Sequence, residues 1–187
     1  TGVNKTGWPT PCPVSRDGVP LASSFPSIGG RGATMRLVMM GTGPFAVPTF
    51  QALYDTRHEV VLLVTGPLRS HRDKAVLPAS RIREVASTRA TPIFDPENVN
   101  TLDAQQHLAS YCADLMIVCD YGQILAPATL ATARFGGINL HASLLPKYRG
   151  AAPINWALYH GETRTGATII QMTPKIDAGP CIAQQAL

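Results

Sequence analysis

The sequence predicts an α/β domain built on a mostly parallel sheet, with an antiparallel pair of late strands. Three observations predict it. Short runs rich in Val, Leu, Ile and Met alternate with helix-like segments from residue 35 onward. The first run ends in glycine, as a strand feeding a turn often does. The last two runs are joined by a short loop with no helix between them, which suits antiparallel pairing. With 187 residues, 45% hydrophobic and 15% charged, the chain has enough material for one domain with a real core and is short for two.

The elements follow in order. Residues 36–41 form an apolar strand, and 45–54 are helix-like. Residues 59–65 (EVVLLVT) are a Val-rich buried strand. Residues 78–87 read as a helix, with Pro78 tolerated in its first turn. A brief strand at 91–94 precedes a helix capped by Asn100 or Thr101 and running to about Tyr111. Residues 115–119 (LMIVC) are a central strand and 137–141 another, with a helix at 153–160 behind it. The late strands are 165–172 and 181–187.

Residues 1–34 hold five prolines and no helical or strand period, so they are expected to be a disordered extension of the domain at 35–187. An organellar transit peptide is the rival reading, but Lys5, Arg16 and Arg31 are the only basic residues there. No apolar run approaches the roughly 18 residues that span a bilayer, and no secretory signal is visible, so no membrane partner and a cytoplasmic location are expected. The four cysteines make no C-x-x-C pair and are expected to be buried and reduced. A net charge of +4 permits a polyanionic partner without demanding one.

The chemistry centres on residues 139–156, NLHASLLPKYRGAAPINW. Asn139 and His141 fall at the carboxyl end of a predicted strand, where open α/β sheets bind ligands. Residues i and i+2 of a strand share a face, so the two side chains can converge on one reacting group. An Asn amide that donates to a developing oxyanion, beside an imidazole that moves a proton, suits acyl chemistry. Asp177, in a Lys-Ile-Asp-Ala-Gly-Pro turn, is either a turn-former or a carboxylate that holds His141. In the loop after His141, Pro146 stiffens the chain, Leu144 and Leu145 offer an apolar wall, and Lys147 and Arg149 offer charge to an anionic ligand or simply to solvent. Gly41-Thr42-Gly43 invites a dinucleotide reading, but Ala46 stands where the third glycine of G-x-G-x-x-G belongs. No spacing of His, Cys or carboxylates suggests a metal.

Five segments together resemble the folate-dependent formyltransferase family over residues 35–187. They are MGTGPFAVPTFQAL at 40–53, DYGQIL at 120–125, GGINLHASLLPKYRGAAPINWAL at 136–158, TGATIIQM at 165–172 and IDAGP at 176–180. The resemblance implies a Rossmann-like formyltransferase domain with Asn139, His141 and Asp177 as its catalytic trio and 10-formyltetrahydrofolate as co-substrate, with no metal. It assigns Ser143, Leu144, Leu145 and Pro146 to the folate-binding signature, and Tyr121, Gln123 and Leu125 to the loop lining the pterin pocket. The Gly-Pro-Phe-Ala-Val-Pro and Ala151-Ala152-Pro153 variants resemble the members that act on initiator tRNA, which implies the methionyl amine as acceptor. Arg69, Arg72 and Lys74, in GPLRSHRDKAVLP at 66–78, would then face tRNA phosphates. A monomer is expected. Because the chain stops within the last predicted strand, the resemblance also implies a missing helix, linker and C-terminal β-barrel. A non-catalytic fragment that retains folate binding, a formyltransferase with another amine acceptor and a nicotinamide-dependent oxidoreductase are the alternatives.

Overall fold

The computed structural model describes residues 32–67 and 80–187. The expectations for residues 1–31, for Pro78, and for Arg69, Arg72 and Lys74 lie outside the described residues. Seven strands form one sheet: β1 (Arg36–Met40), β2 (Glu59–Val64), β3 (Ile93–Phe94), β4 (Leu115–Val118), β5 (Gly137–His141), β6 (Gly166–Gln171) and β7 (Cys181–Ala186). Their spatial order is β3-β2-β1-β4-β5-β6-β7. The first five are parallel; β5–β6 and β6–β7 are antiparallel, as the late strands were expected to be.

Alternation along the parallel strands sorts the core into two layers. Leu37, Met39, Leu63, Ile117 and Cys119 face one side, with Phe50 of α1 (Ala46–Leu53) and Ile82 and Ala86 of α2 (Arg81–Thr88). Val38, Met40, Leu62, Val64, Met116 and Val118 face the other, with Leu108 of α3 (Leu102–Ser110) and Leu130 of α4 (Pro127–Leu130). Strands covered on both faces read as continuous apolar runs, which is why β1, β2 and β4 were legible. Thr101, not Asn100, caps α3: its Oγ1 accepts from the Ala104 amide at 3.3 Å. Asn100 instead accepts from the Ala126 amide and the Thr129 hydroxyl, both at 2.8 Å, and donates to the Ile124 carbonyl at 2.8 Å. It thereby ties the segment after β4 to the start of α3.

Three features differ from the sequence expectation. α4 was not anticipated, because one turn of helix is too short to show a period. The helix predicted to start at Pro78 begins at Arg81 among the described residues. Cys181 is exposed, because among the described residues no layer covers that face of β7. Cys119, by contrast, is buried and free. Among the described residues no helix is long and apolar enough to cross a membrane.

Candidate active site

The carboxyl ends of β1, β4 and β5 open into a cavity of about 720 Å³. Its walls come from Pro44 and Phe45 after β1, residues 120–125 after β4, residues 139–142 of β5 and its exit, residues 150–155 at the start of α5 (Pro153–Tyr159), Ile170 of β6, and residues 172–177 between β6 and β7. This is where an open parallel sheet leaves strand-end amides and side chains unclaimed by its own ladder.

Asn139 and His141 both line the cavity from β5, and Asp177 faces them from the β6–β7 connection. Asn139 Nδ2 donates to Asp177 Oδ1 at 3.1 Å. His141 Nδ1 lies 3.4 Å from Asp177 Oδ2, with both side chains largely buried. The Gly150 amide donates to Asp177 Oδ2 at 2.8 Å. The carboxylate is therefore a hub that holds both β5 side chains in place; it is not an isolated turn-former. His141 Nε2 is 2.8 Å from the Tyr148 carbonyl. Both ring nitrogens thus face acceptors, and a ring that satisfies both carries a proton on each. Asn139 keeps a second amide hydrogen beyond the one given to Asp177. The arrangement suits stabilising negative charge on a carbonyl oxygen during acyl transfer.

The loop after β5 also makes contacts within the protein. Ser143, Leu144, Leu145 and Pro146 do not line the cavity. Ser143 is fully buried, and its Oγ donates to the Lys147 carbonyl at 2.6 Å. Thr168 Oγ1, also fully buried, donates to the Ser143 carbonyl at 2.7 Å and accepts from the Leu145 amide at 3.1 Å. The charges of the loop are also committed within the protein: Lys147 Nζ sits 2.8 Å from Glu162 Oε1, and Arg149 Nε donates to the Asp177 carbonyl at 3.0 Å. The segment 147–150 therefore grips His141 through Tyr148 and Asp177 through Arg149 and Gly150. Sequence reasoning missed Tyr148, Gly150 and Glu162 because their roles arise from contacts that no local period reports.

The residues predicted after β4 do reach the cavity. Tyr121, Gln123 and Leu125 all line it. Gln123 is also a brace, accepting from the Val99 amide at 3.0 Å and donating to the Pro96 carbonyl at 3.3 Å. The Tyr121 hydroxyl is buried without a partner, and burial pushes its pKa up to about 12, so it stays protonated at neutral pH. The Gly41–Pro44 turn is closed off as a phosphate cradle. The Thr42 and Gly43 amides both donate to the Asp120 carbonyl, at 2.9 and 3.2 Å, and a Cβ on Gly43 would collide with the Asp120 carboxylate. Among the described residues no group of His, Cys, Asp or Glu is placed to hold a metal ion.

A methionyl-tRNA formyltransferase of Rhodopirellula baltica is 44% identical over 156 residues, covering 81% of this chain and 47% of that protein. One from Acidobacterium capsulatum is 44% identical over 155 residues, covering 82% of this chain and 50% of its own length. The chain thus spans about half the length of the curated relatives it matches. A phosphoribosylglycinamide formyltransferase from Bacillus halodurans superposes with a TM-score of 0.67 at 23% identity, over 81% of this chain and 79% of that one. A formyltetrahydrofolate deformylase from Pseudomonas syringae superposes with a TM-score of 0.63 at 23% identity, over 83% and 52%. At such identities the two structures share the fold alone. The Formyl transferase family model matches residues 35–187. That span runs from the residue before β1 to the end of β7 and contains Asn139, His141 and Asp177, and the chain belongs to the formyl transferase family.

Proposed function

We propose that this chain supplies the catalytic half of an enzyme that moves a formyl group from 10-formyltetrahydrofolate to the α-amine of methionyl initiator tRNA. The observation that carries the reading is the Asn139–His141–Asp177 constellation at the mouth of β5, its carboxylate hydrogen-bonded to Asn139 and 3.4 Å from the His141 ring. Identity to methionyl-tRNA formyltransferases supports the choice of acceptor. The cavity fits the donor in size, since small-molecule sites run to roughly 300–1,000 Å³. Phe45, Val118, Leu140 and Ile170 give it apolar walls for a flat ring system.

In this reading the neutral amine attacks the formyl carbon, and charge builds on the formyl oxygen. The second amide hydrogen of Asn139 donates to that oxygen, and the His141 cation stabilises it from the wall. Asp177 keeps both groups aimed through the rise and decay of the charge. The C–N10 bond breaks, the amine nitrogen gives up a proton, and N10 of the departing folate takes one. Leu144, Leu145 and Pro146 serve the donor indirectly, by anchoring the start of the 147–150 grip. Arg69, Arg72 and Lys74 are assigned to tRNA phosphates on charge, and the reaction to the cytoplasm, where charged tRNA is used.

The test is formyl transfer to methionyl initiator tRNA by the natural protein that carries this chain, with and without His141→Ala. Transfer that His141→Ala lowers by about 10²–10³-fold supports the reading, by analogy with the loss of one oxyanion-stabilising donor. A natural protein that leaves charged tRNA unformylated sinks the acceptor assignment and turns attention to other amines.

A further inference from the structure

Glu162 lies beyond the cavity, in the turn after α5, with no direct part in the chemistry described so far. Its carboxylate accepts from the Tyr148 hydroxyl at 2.7 Å and from Lys147 Nζ at 2.8 and 3.0 Å. Tyr148 has φ +57°, a conformation that a non-glycine residue keeps only when its neighbours hold it there. In that conformation its carbonyl meets His141 Nε2. The segment is secured on either side of Tyr148, by Ser143 on the Lys147 carbonyl and by Asp177 on Arg149 and Gly150. The Tyr148 side chain itself is held from outside, by Glu162 and by a ring stack on His160 with centroids 5.8 Å apart.

We infer that Glu162 is a positioning residue for the reaction: by gripping the Tyr148 hydroxyl it keeps the Tyr148 carbonyl on His141 Nε2, so that the ring stays fixed with its other nitrogen toward Asp177. The kinetic consequence rests on the formyl-transfer reading; the geometry does not. Glu162→Gln keeps a carbonyl that accepts from Tyr148 but loses the charge that Lys147 pairs with. Glu162→Ala loses both, and Tyr148→Phe loses only the hydroxyl.

The experiment places these three substitutions in the natural protein. It reads kcat and KM for both substrates, and the ¹⁵N-edited proton signal of His141 Nε2–H in the substrate-free protein, assigned by its absence in His141→Gln. Glu162→Ala and Tyr148→Phe are expected to lower kcat roughly 10–100-fold at unchanged KM, the scale of a small misplacement at a reacting centre. Both are expected to broaden the Nε2–H signal through faster exchange with water, and Glu162→Gln to restore rate and signal. Equal losses in Glu162→Gln and Glu162→Ala would assign the effect to the Lys147 ion pair and overturn the inference. An unchanged signal in Glu162→Ala and Tyr148→Phe overturns it as well. So does a rise in kcat, which would mean that the carbonyl competes with the substrate oxygen for His141. Because the signal needs no substrate, it judges the grip even if the natural protein formylates no tRNA.

Discussion

Asp177 gathers three partners from two segments: Asn139 Nδ2 and the His141 ring from β5, and the Gly150 amide from the loop that follows. A carboxylate can accept all three; a carboxamide cannot, because one of its two heavy atoms donates. Asp177→Asn therefore turns an amide hydrogen toward a donor on one side and removes the negative charge from His141. We expect a loss of about 10²–10³-fold in single-turnover formyl transfer with folding intact, the size seen when an oxyanion-stabilising arrangement loses a member. Glu162 gives the residue scale a pH signature. Hydrogen bonds from Lys147 and then Tyr148 hold its carboxyl below the usual value of 4.5. A group depressed in the folded state stabilises the fold above its unfolded pKa, and the contribution is lost as pH falls through the folded value. The urea midpoint of the natural protein should therefore exceed that of Glu162→Gln above pH 4.5. The two should converge in more acid solution, and a gap of constant size down to low pH would rule out the charge as its source.

The strands were legible as elements and the connections were not, for a physical reason. β1, β2 and β4 are covered on both faces, so burial writes itself into unbroken apolar runs. The strand-end placement of Asn139 and His141 followed from β5 and its alternation. What the 143–150 loop does depends instead on partners far along the chain, such as Glu162 for Lys147 and Asp177 for Arg149, 15 and 28 residues away. Composition showed that the loop was stiff and basic, and only the contacts show that Lys147 is held on Glu162 and Arg149 on Asp177. The turn between β1 and α1 is a second connection whose reason is steric. A Cβ on Gly41 would lie 2.7 Å from Ala46 Cβ and 2.8 Å from the Cys119 carbonyl. Both neighbours are fixed, one by α1 and one by the backbone after β4, so neither gives way cheaply. Gly41→Ala should cost about 1–3 kcal/mol, as overpacking does. For a domain of this size that lowers the melting temperature by a few degrees per kcal/mol, and a melt within experimental error of wild type would show that α1 can slide.

At the scale of the whole molecule, the cavity is where distant parts of the chain are pinned to one another. Its walls take residues from the turn after β1, the segment after β4, the end of β5, the start of α5 and the β6–β7 connection. A ligand seated there contacts both the parallel half of the sheet and the antiparallel end, and none of those contacts survives unfolding. Binding to the folded state alone raises the unfolding free energy by about 2.7 kcal/mol at 100 times the dissociation constant. Tetrahydrofolate is the natural probe, since it keeps the ring system the apolar walls would hold and lacks the formyl group that Asn139 and His141 would meet. We expect it to raise the melting temperature of the natural protein in a concentration-dependent way. His141→Ala, compared with its own ligand-free melt, should keep that increment while losing formyl transfer. The two readouts separate holding the donor from acting on it. An increment that disappears with His141 would place the imidazole in donor binding. No increment at any tetrahydrofolate concentration would remove the folate from this cavity, and with it the physical basis for the formyl-transfer reading.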